Sequence, residues 1–252
     1  MDTAFLYIFV INLFCLHEFY QILHPDQTKI ARWVPIIFSS LIFFHFLVGF
    51  DQIMFPGDLE QILILLLFLM VCMQVFTKYS KPFQFLGTIM LSYLYITMSL
   101  VLLLRIGIDY SVFIMSSGYI TGEKILVIFI LIWASDTFAY LIGKFLGRIK
   151  LAPSLSPKKT VEGAIGGLAG TIFTSYVLYK TMGMYRLTDY IVIACIVFVF
   201  GLIGDLLVSR LKRSVNIKDS GTLLPGHGGF LDRFDSILIA GPMVYLYLSF
   251  VS

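Results

Sequence analysis

Apolar runs of roughly twenty residues alternate with short polar stretches along the whole chain. Eight runs are long enough, as helices, to cross about 30 Å of hydrocarbon. They cover residues 3–23, 33–50, 59–76, 83–104, 124–144, 163–180, 188–208 and 234–251. The pattern predicts an all-α fold: a polytopic transmembrane helical bundle of about eight spans.

The polar stretches are not equivalent. The first, third, fifth and seventh loops carry fourteen Lys and Arg residues, and the even loops carry four (Arg105, Lys124, Lys180 and Arg186). Basic loops stay in the cytosol, so the odd loops are expected there and both termini on the non-cytosolic side. The chain divides into N-terminal helices, 1–122, expected to act as a lipid-facing scaffold, and a polar-rich C-terminal region, 123–252. The second region carries two cytosolic loops, 145–162 and 209–233.

Composition agrees with a membrane protein. Of 252 residues, 59% are hydrophobic and 13% charged, and the mean hydropathy is +0.93. A soluble protein of this size would expose more charge. The net charge of +3 is too small to argue for nucleic acid. Cys15, Cys72 and Cys195 lie inside apolar runs and read as small buried hydrophobes, not as a disulfide framework. The N-terminus lacks the basic start of a cleavable signal, so the first run is expected to be retained. His17, Glu18 and His45 in the first two runs read as interface, locally paired or packing residues.

Chemistry is concentrated after residue 130. Between Gly204 and Ser236 stand four aspartates, five Lys/Arg residues and one histidine, flanked by apolar runs. If the preceding helix continues to about Arg213, then Asp205, Ser209 and Lys212/Arg213 share one face. A carboxylate, a hydroxyl and two cations on one stripe suit a metal-bound polyphosphate. Leu224-Pro225-Gly226-His227-Gly228-Gly229 then stops the helix and lets backbone N–H groups approach an anion. Asp232 and Asp235 follow, three residues apart at the start of the last run. Carboxylates suit Mg²⁺, which takes a few of them together with substrate phosphates.

Two other segments add to this. Asp136 sits inside the apolar fifth run, where a charge is costly and functional by default; an interhelical hydrogen bond is the plainer alternative. It shares a helical face with Tyr140, Gly143 and Gly147. Ser156-Pro157-Lys158-Lys159-Thr160 precedes the sixth run, with Thr160 placed to cap it. Two lysines beside a helix N-terminus make an anion site, or an anchor to lipid headgroups. Gly163/Gly167 and Gly166/Gly170 have the small-xxx-small spacing of helices that pack backbone to backbone.

These residues resemble the phosphatidate cytidylyltransferases (CDP-diacylglycerol synthases). The resemblance rests on Ser209, Leu211-Lys212-Arg213, Lys218-Asp219, Gly221, Leu224-Pro225, His227-Gly228-Gly229, Asp232-Arg233 and Asp235, with no inserted or missing position. SPKKTVEG at 156–163 and SDTFAY at 135–140 also look like family features. The likeness is strong over about 133–236 and rests on hydrophobicity alone over the first 120 residues. It implies the reaction of CTP with phosphatidate to give CDP-diacylglycerol and pyrophosphate. It also implies Mg²⁺, with room for a second cation, and by position Asp205 and Asp232 as metal carboxylates.

On this reading Lys212, Arg213 and Arg233 would neutralise the polyphosphate. Asp136, Asp219 and Asp235 would orient ligands or hold a second cation. Ser156, Lys158, Lys159 and Thr160 would hold either the lipid phosphate or CTP. Ser209, Lys218, His227, Gly228 and Gly229 would complete the substrate site. The resemblance places the enzyme in a bacterial plasma membrane with its site at the cytosolic face, and a homodimer is left open. Two other functions compete. A CTP-dependent lipid or polyprenol kinase would share the phosphate chemistry. An ion-coupled transporter would use Asp136 as its ion site, but such proteins often show related halves, and the polar motifs here all fall in one half.

Overall fold

A computed structural model describes residues 3–24, 29–48, 82–107, 122–221 and 228–251. The third predicted span, Cys72, residues 224–227 with His227 among them, and the side chain of His45 lie outside the described residues. In chain order the elements are α1 (Thr3–Leu23), α2 (Lys29–Val48), α3 (Pro82–Ser92), a π-helical turn (Tyr93–Thr97), α4 (Met98–Gly107), α5 (Gly122–Leu146), β1 (Lys150–Ala152), β2 (Ser156–Thr160), α6 (Val161–Met182), α7 (Leu187–Ser214) and α8 (Leu231–Val251).

Among the described residues, six helices are long and apolar enough to cross a membrane: Phe5–Leu23, Leu86–Gly107, Gly122–Leu146, Val161–Met182, Leu187–Ser214 and Leu231–Val251. They coincide with the first, fourth, fifth, sixth, seventh and eighth predicted runs. The second run is helical as well, over Lys29–Val48, with Pro35 inside it. The chain is an all-α membrane bundle. Most helices outrun their apolar stretch, and α6 and α7 end at backbone caps and not where hydropathy falls. Thr160 caps the start of α6, and Gly183 closes its end with φ +62°. Asn216, at φ 59°, turns the chain just beyond α7. As a result α7 carries six residues past its predicted limit at 208, Lys212 and Arg213 among them.

The chain forms two compact units, Thr3–Val101 and Leu102–Ser252, and the division falls within α4. The first is held by apolar packing with a few buried polar contacts. Tyr20 Oη lies 2.5 Å from Ser92 Oγ, and Thr97 Oγ1 donates to Asn12 Oδ1 at 3.1 Å. His17 stacks on Trp33 with ring centroids 5.7 Å apart, and Glu18 is fully buried.

In the second unit glycines set the helix spacing. A Cβ on Gly166 would stand 2.5 Å from Ile142 Cβ, and one on Gly170 would stand 2.1 Å from Phe138 Cγ. The glycine stripe of α6 is therefore pressed against α5, as its spacing predicts. A Cβ on Gly204 would come within 2.3 Å of the Asp235 carbonyl oxygen, so α7 and α8 meet backbone to backbone. These two helices are also tied at both ends. Lys212 pairs with Asp232 at one end, and Tyr247 Oη donates to Asp189 Oδ1 at 2.8 Å at the other. Twenty-three residues of helix separate Asp189 from Lys212, about 35 Å of rise. The two ties thus stand at opposite ends of the helix pair.

Candidate functional site

The polar loop between α5 and α6 is not irregular. It forms an antiparallel hairpin in which Lys150 pairs with Thr160 and Ala152 with Ser156. Val161 N donates to Ile149 O at 2.9 Å and extends the ladder. Two side chains fix it to the helices. Glu162 Oε2 accepts from Arg148 N at 3.0 Å and, with Oε1, from Ile149 N at 3.2 Å. Thr160, buried, accepts from Gly163 N at 3.2 Å. Its hydroxyl would lie 2.7 Å from a Cβ on Gly147 and 3.0 Å from one on Gly143. Gly143 and Gly147 are therefore seats for Thr160, on the helical face that also carries Asp136.

The hairpin presents Lys158 and Lys159 to a cavity of about 470 Å³ framed by α5, α6, α7 and the start of α8. That volume falls in the range of small-molecule sites. Its polar wall includes Ser135, Asp136, Lys158, Lys159 and Ser236, and Phe198 belongs to its apolar side. Asp136 is not sequestered in the helix but opens onto this space.

Lys159 is ion-paired with Asp205 of α7. Each side chain is about 30% exposed (29% and 30%), so the pair is neither dry nor fully solvated. Ser209 Oγ donates to the other oxygen of Asp205 at 3.4 Å, along the helical face predicted for these residues. Asp136 of α5 and Asp235 of α8 each feel the charges of both Lys159 and Asp205. Asp235 is buried and accepts from the backbone N–H (2.6 Å) and hydroxyl (3.2 Å) of Ser236. The ammonium thus touches one carboxylate, Asp205, and two more on neighbouring helices lie near enough to sense its charge.

Asp232 has a different set of partners. Lys212 Nζ donates to its Oδ1 at 2.6 Å, and Ser220 N to its Oδ2 at 2.9 Å. Gly229 N lies 3.5 Å from the same Oδ2. Gly228 has φ +80° and would place a Cβ 3.3 Å from that oxygen. Gly228 and Gly229, the described glycines of this segment, thus approach the Asp232 carboxylate. Asp205 and Asp232, the expected metal pair, each hold a different lysine.

The remaining predicted residues fall around these two centres. Ser156 begins β2, opposite Ala152. Arg213 is exposed and donates to Ile217 O at 3.1 Å, closing the turn after α7. Lys218 and Asp219 are exposed in the segment leading to Ser220, and Arg233 is exposed in the first turn of α8.

Hard oxygen donors on Asp136, Asp205, Asp232 and Asp235 fit Mg²⁺ chemically. Among the described residues no three His, Cys, Asp or Glu side chains converge as a protein-only cage. Mg²⁺ seldom uses one, taking one or two carboxylates with substrate phosphates and water.

Sequence reasoning missed the Glu162 clamp, the Lys159–Asp205 pair, and the contributions of Phe198 and Ser236 to the cavity. Glu162 stands two residues after Thr160, where an acidic first turn was readable. The other features depend on helix packing that no local signal carries.

A sequence model of the cytidylyltransferase family matches residues 3–251. The chain is 33% identical over 241 residues to a phosphatidate cytidylyltransferase of Bacillus subtilis (strain 168), an alignment covering 92% of this chain and 85% of that protein. It is 31% identical over 248 residues to the protein of that name in Staphylococcus haemolyticus (strain JCSC1435), covering 98% and 90%. A third relative of the same name, from Staphylococcus saprophyticus, is 34% identical over 230 residues, covering 90% and 84%.

Proposed function

This chain belongs to the cytidylyltransferase family, and from that premise we propose that it transfers the cytidylyl group of CTP to phosphatidate. The products are CDP-diacylglycerol and pyrophosphate, and the role is in phospholipid biosynthesis. The observation that carries this reading is the cavity: three lysines and an aspartate line a space of nucleotide scale framed by membrane-spanning helices. A water-soluble triphosphate and a two-tailed lipid phosphate both need such a place. Relatives named for this activity align over nearly the whole chain.

The chemistry asks little of a general base. A phosphatidate phosphate oxygen, already anionic near neutral pH, attacks the α-phosphorus of CTP. The bond from that phosphorus to the β-phosphate bridging oxygen breaks, and pyrophosphate leaves with the electron pair. The protein's part is positioning and charge stabilisation. Lys158 and Lys159 lie on the hairpin to meet phosphate oxygens in the cavity. Lys212, Arg213 and Arg233 lie to neutralise charge on the leaving group. Asp205 and Asp232 would hold Mg²⁺, and Asp136, Asp219 and Asp235 would orient ligands or hold a second cation. When bound, Mg²⁺ supplies Lewis-acid stabilisation of charge on phosphate oxygens. Lys218, Ser156, Ser209, Gly228, Gly229 and His227 complete the substrate site. We place the site at the cytosolic face of a bacterial plasma membrane, open sideways to lipid.

The test is label transfer. Purified protein given phosphatidate, Mg²⁺ and CTP labelled at the α- or the γ-phosphate should move α-label into lipid and release pyrophosphate. Appearance of γ-label in lipid would make the protein a kinase and end this reading.

A further inference from the structure

Two demands meet at Lys159. It lines the cavity beside Lys158 and Asp136, where an anionic ligand would seek it. Its ammonium is already paired with Asp205, and both Asp136 and Asp235 feel its charge. Without the lysine, Asp205 would lose its positive partner, and a cation would be drawn to that carboxylate in its place. An ammonium and a divalent cation cannot occupy the same carboxylate without mutual repulsion, which is strong at a few ångströms in a partly buried site.

The geometry also allows the lysine to change partner. Its backbone is held by the hairpin ladder, by Thr160 in its glycine seat, and by Glu162 on the facing chain. Its side chain is a flexible four-carbon stem with three donors at the tip. Asp205 and the cavity are both within reach of that stem, since Lys159 contacts one and lines the other.

We propose that Lys159 is an exchangeable counter-ion: it neutralises Asp205 in the substrate-free protein and passes to the nucleotide's phosphate oxygens when substrate enters, leaving Asp205 free for the divalent cation. No covalent bond changes. Binding of cation and nucleotide is then positively coupled through one side chain, and the coupling is reciprocal. A nucleotide-free cation must displace the ammonium. With a triphosphate present, the ammonium has a partner of higher charge and yields. This inference rests on the assignment of the cavity to a nucleotide given above.

The experiment uses the full chain in detergent and measures Mn²⁺ binding by electron paramagnetic resonance, with and without a non-hydrolysable α,β-methylene analogue of CTP. The analogue's own chelation of Mn²⁺ is subtracted. In the native protein the analogue should tighten Mn²⁺ binding about tenfold or more, the effect of one ion-pair contact exchanged. Lys159→Met should bind Mn²⁺ about tenfold more tightly without nucleotide, and the analogue should then add little. Lys159→Arg should keep the coupling. Lys159→Gln serves as the neutral variant if Lys159→Met does not give a monodisperse, cooperatively melting protein. Nucleotide-free Mn²⁺ affinity that is unchanged or weaker in the neutral variant overturns the proposal, as does undiminished coupling in it. Formation of CDP-diacylglycerol by the native protein in the same preparation separates this failure from failure of the functional assignment.

Discussion

Lys212 Nζ stands 2.6 Å from Asp232 Oδ1, joining the end of α7 to the first turn of α8 across twenty positions of sequence. The two side chains are only 14% and 15% exposed. The contact faces a second tie, Tyr247 to Asp189, at the far end of the same helix pair. One end of the pair is therefore an ion pair close to the proposed chemistry, and the other is a neutral donor on a carboxylate.

Lys212→Met should affect both stability and activity. It leaves Asp232 with the neutral donors of Ser220 and no cation, and losing one member of a largely buried pair costs more than the pair contributes. A loss of about 1–3 kcal/mol is expected, read as a fall of several degrees in melting temperature. Turnover should fall by about a hundredfold or more, as expected when a charge aimed at the leaving group is removed. Lys212→Arg should recover most of the stability. An unchanged melting temperature in the methionine variant would show that the pair contributes nothing.

Asp205→Asn and Asp232→Asn remove a negative charge while keeping the size of the side chain. Each should reduce pyrophosphate release by about a thousandfold, in line with loss of a group that holds charge at the reacting phosphates. The protein should still insert and elute as the native form does. Near-native turnover in either variant would take that aspartate out of the proposed metal site.

Glu162→Ala should loosen the hairpin without touching the cavity lining. The amide protons of Arg148 and Ile149 lose their acceptor, and their exchange should accelerate about tenfold, equivalent to one net hydrogen bond. Because Lys158 and Lys159 are carried by that hairpin, the Michaelis constant for at least one substrate should rise more than kcat falls. Native exchange rates at both amides would contradict the clamp.

Gly204→Ala tests the α7–α8 contact. The new Cβ would lie 2.3 Å from the backbone oxygen of Asp235, an atom that cannot turn aside. The helices must part, at about 1–3 kcal/mol for an overpacked site. Asp205 is the next residue, so turnover should fall together with melting temperature. Gly87→Ala, where nothing lies within 4 Å of the added atom, is the matching control and should be nearly silent in packing terms.

The legible parts of this molecule were those written in local code. Apolar run length located the membrane helices, the small-xxx-small spacing of Gly163, Gly166, Gly167 and Gly170 marked the face of α6 that meets α5, and Thr160 announced itself as a cap. The face shared by Asp136, Tyr140 and Gly143 was readable from the helical period, and all three line one cavity. Less legible were partnerships across helices. Nothing in SPKKT says that its second lysine will meet an aspartate 46 positions later, because that contact follows from how α5, α6 and α7 stack. The hairpin escaped notice because Lys150–Ala152 is a strand of three residues, too short for an alternating pattern to register. The approach of Gly229 N to the Asp232 carboxylate was likewise not readable, since it depends on how the loop folds back on the first turn of α8.

The double anchoring of β2 has a kinetic consequence. With its ladder, its threonine seat and its glutamate clamp in place, the platform beneath Lys158 and Lys159 has no hinge, and only the torsions of the lysine stems remain soft. The torsions of an exposed side chain such as Lys158 relax in picoseconds to nanoseconds, whereas Lys159 must first part from Asp205; enzymes typically turn over in milliseconds to seconds. Lys158 is therefore expected to deliver its charge to an arriving phosphate faster than the cycle turns. The slow step is then expected in the greasy product's departure into the bilayer or in the phosphorus chemistry, and changing the fluidity of the surrounding lipid would tell which.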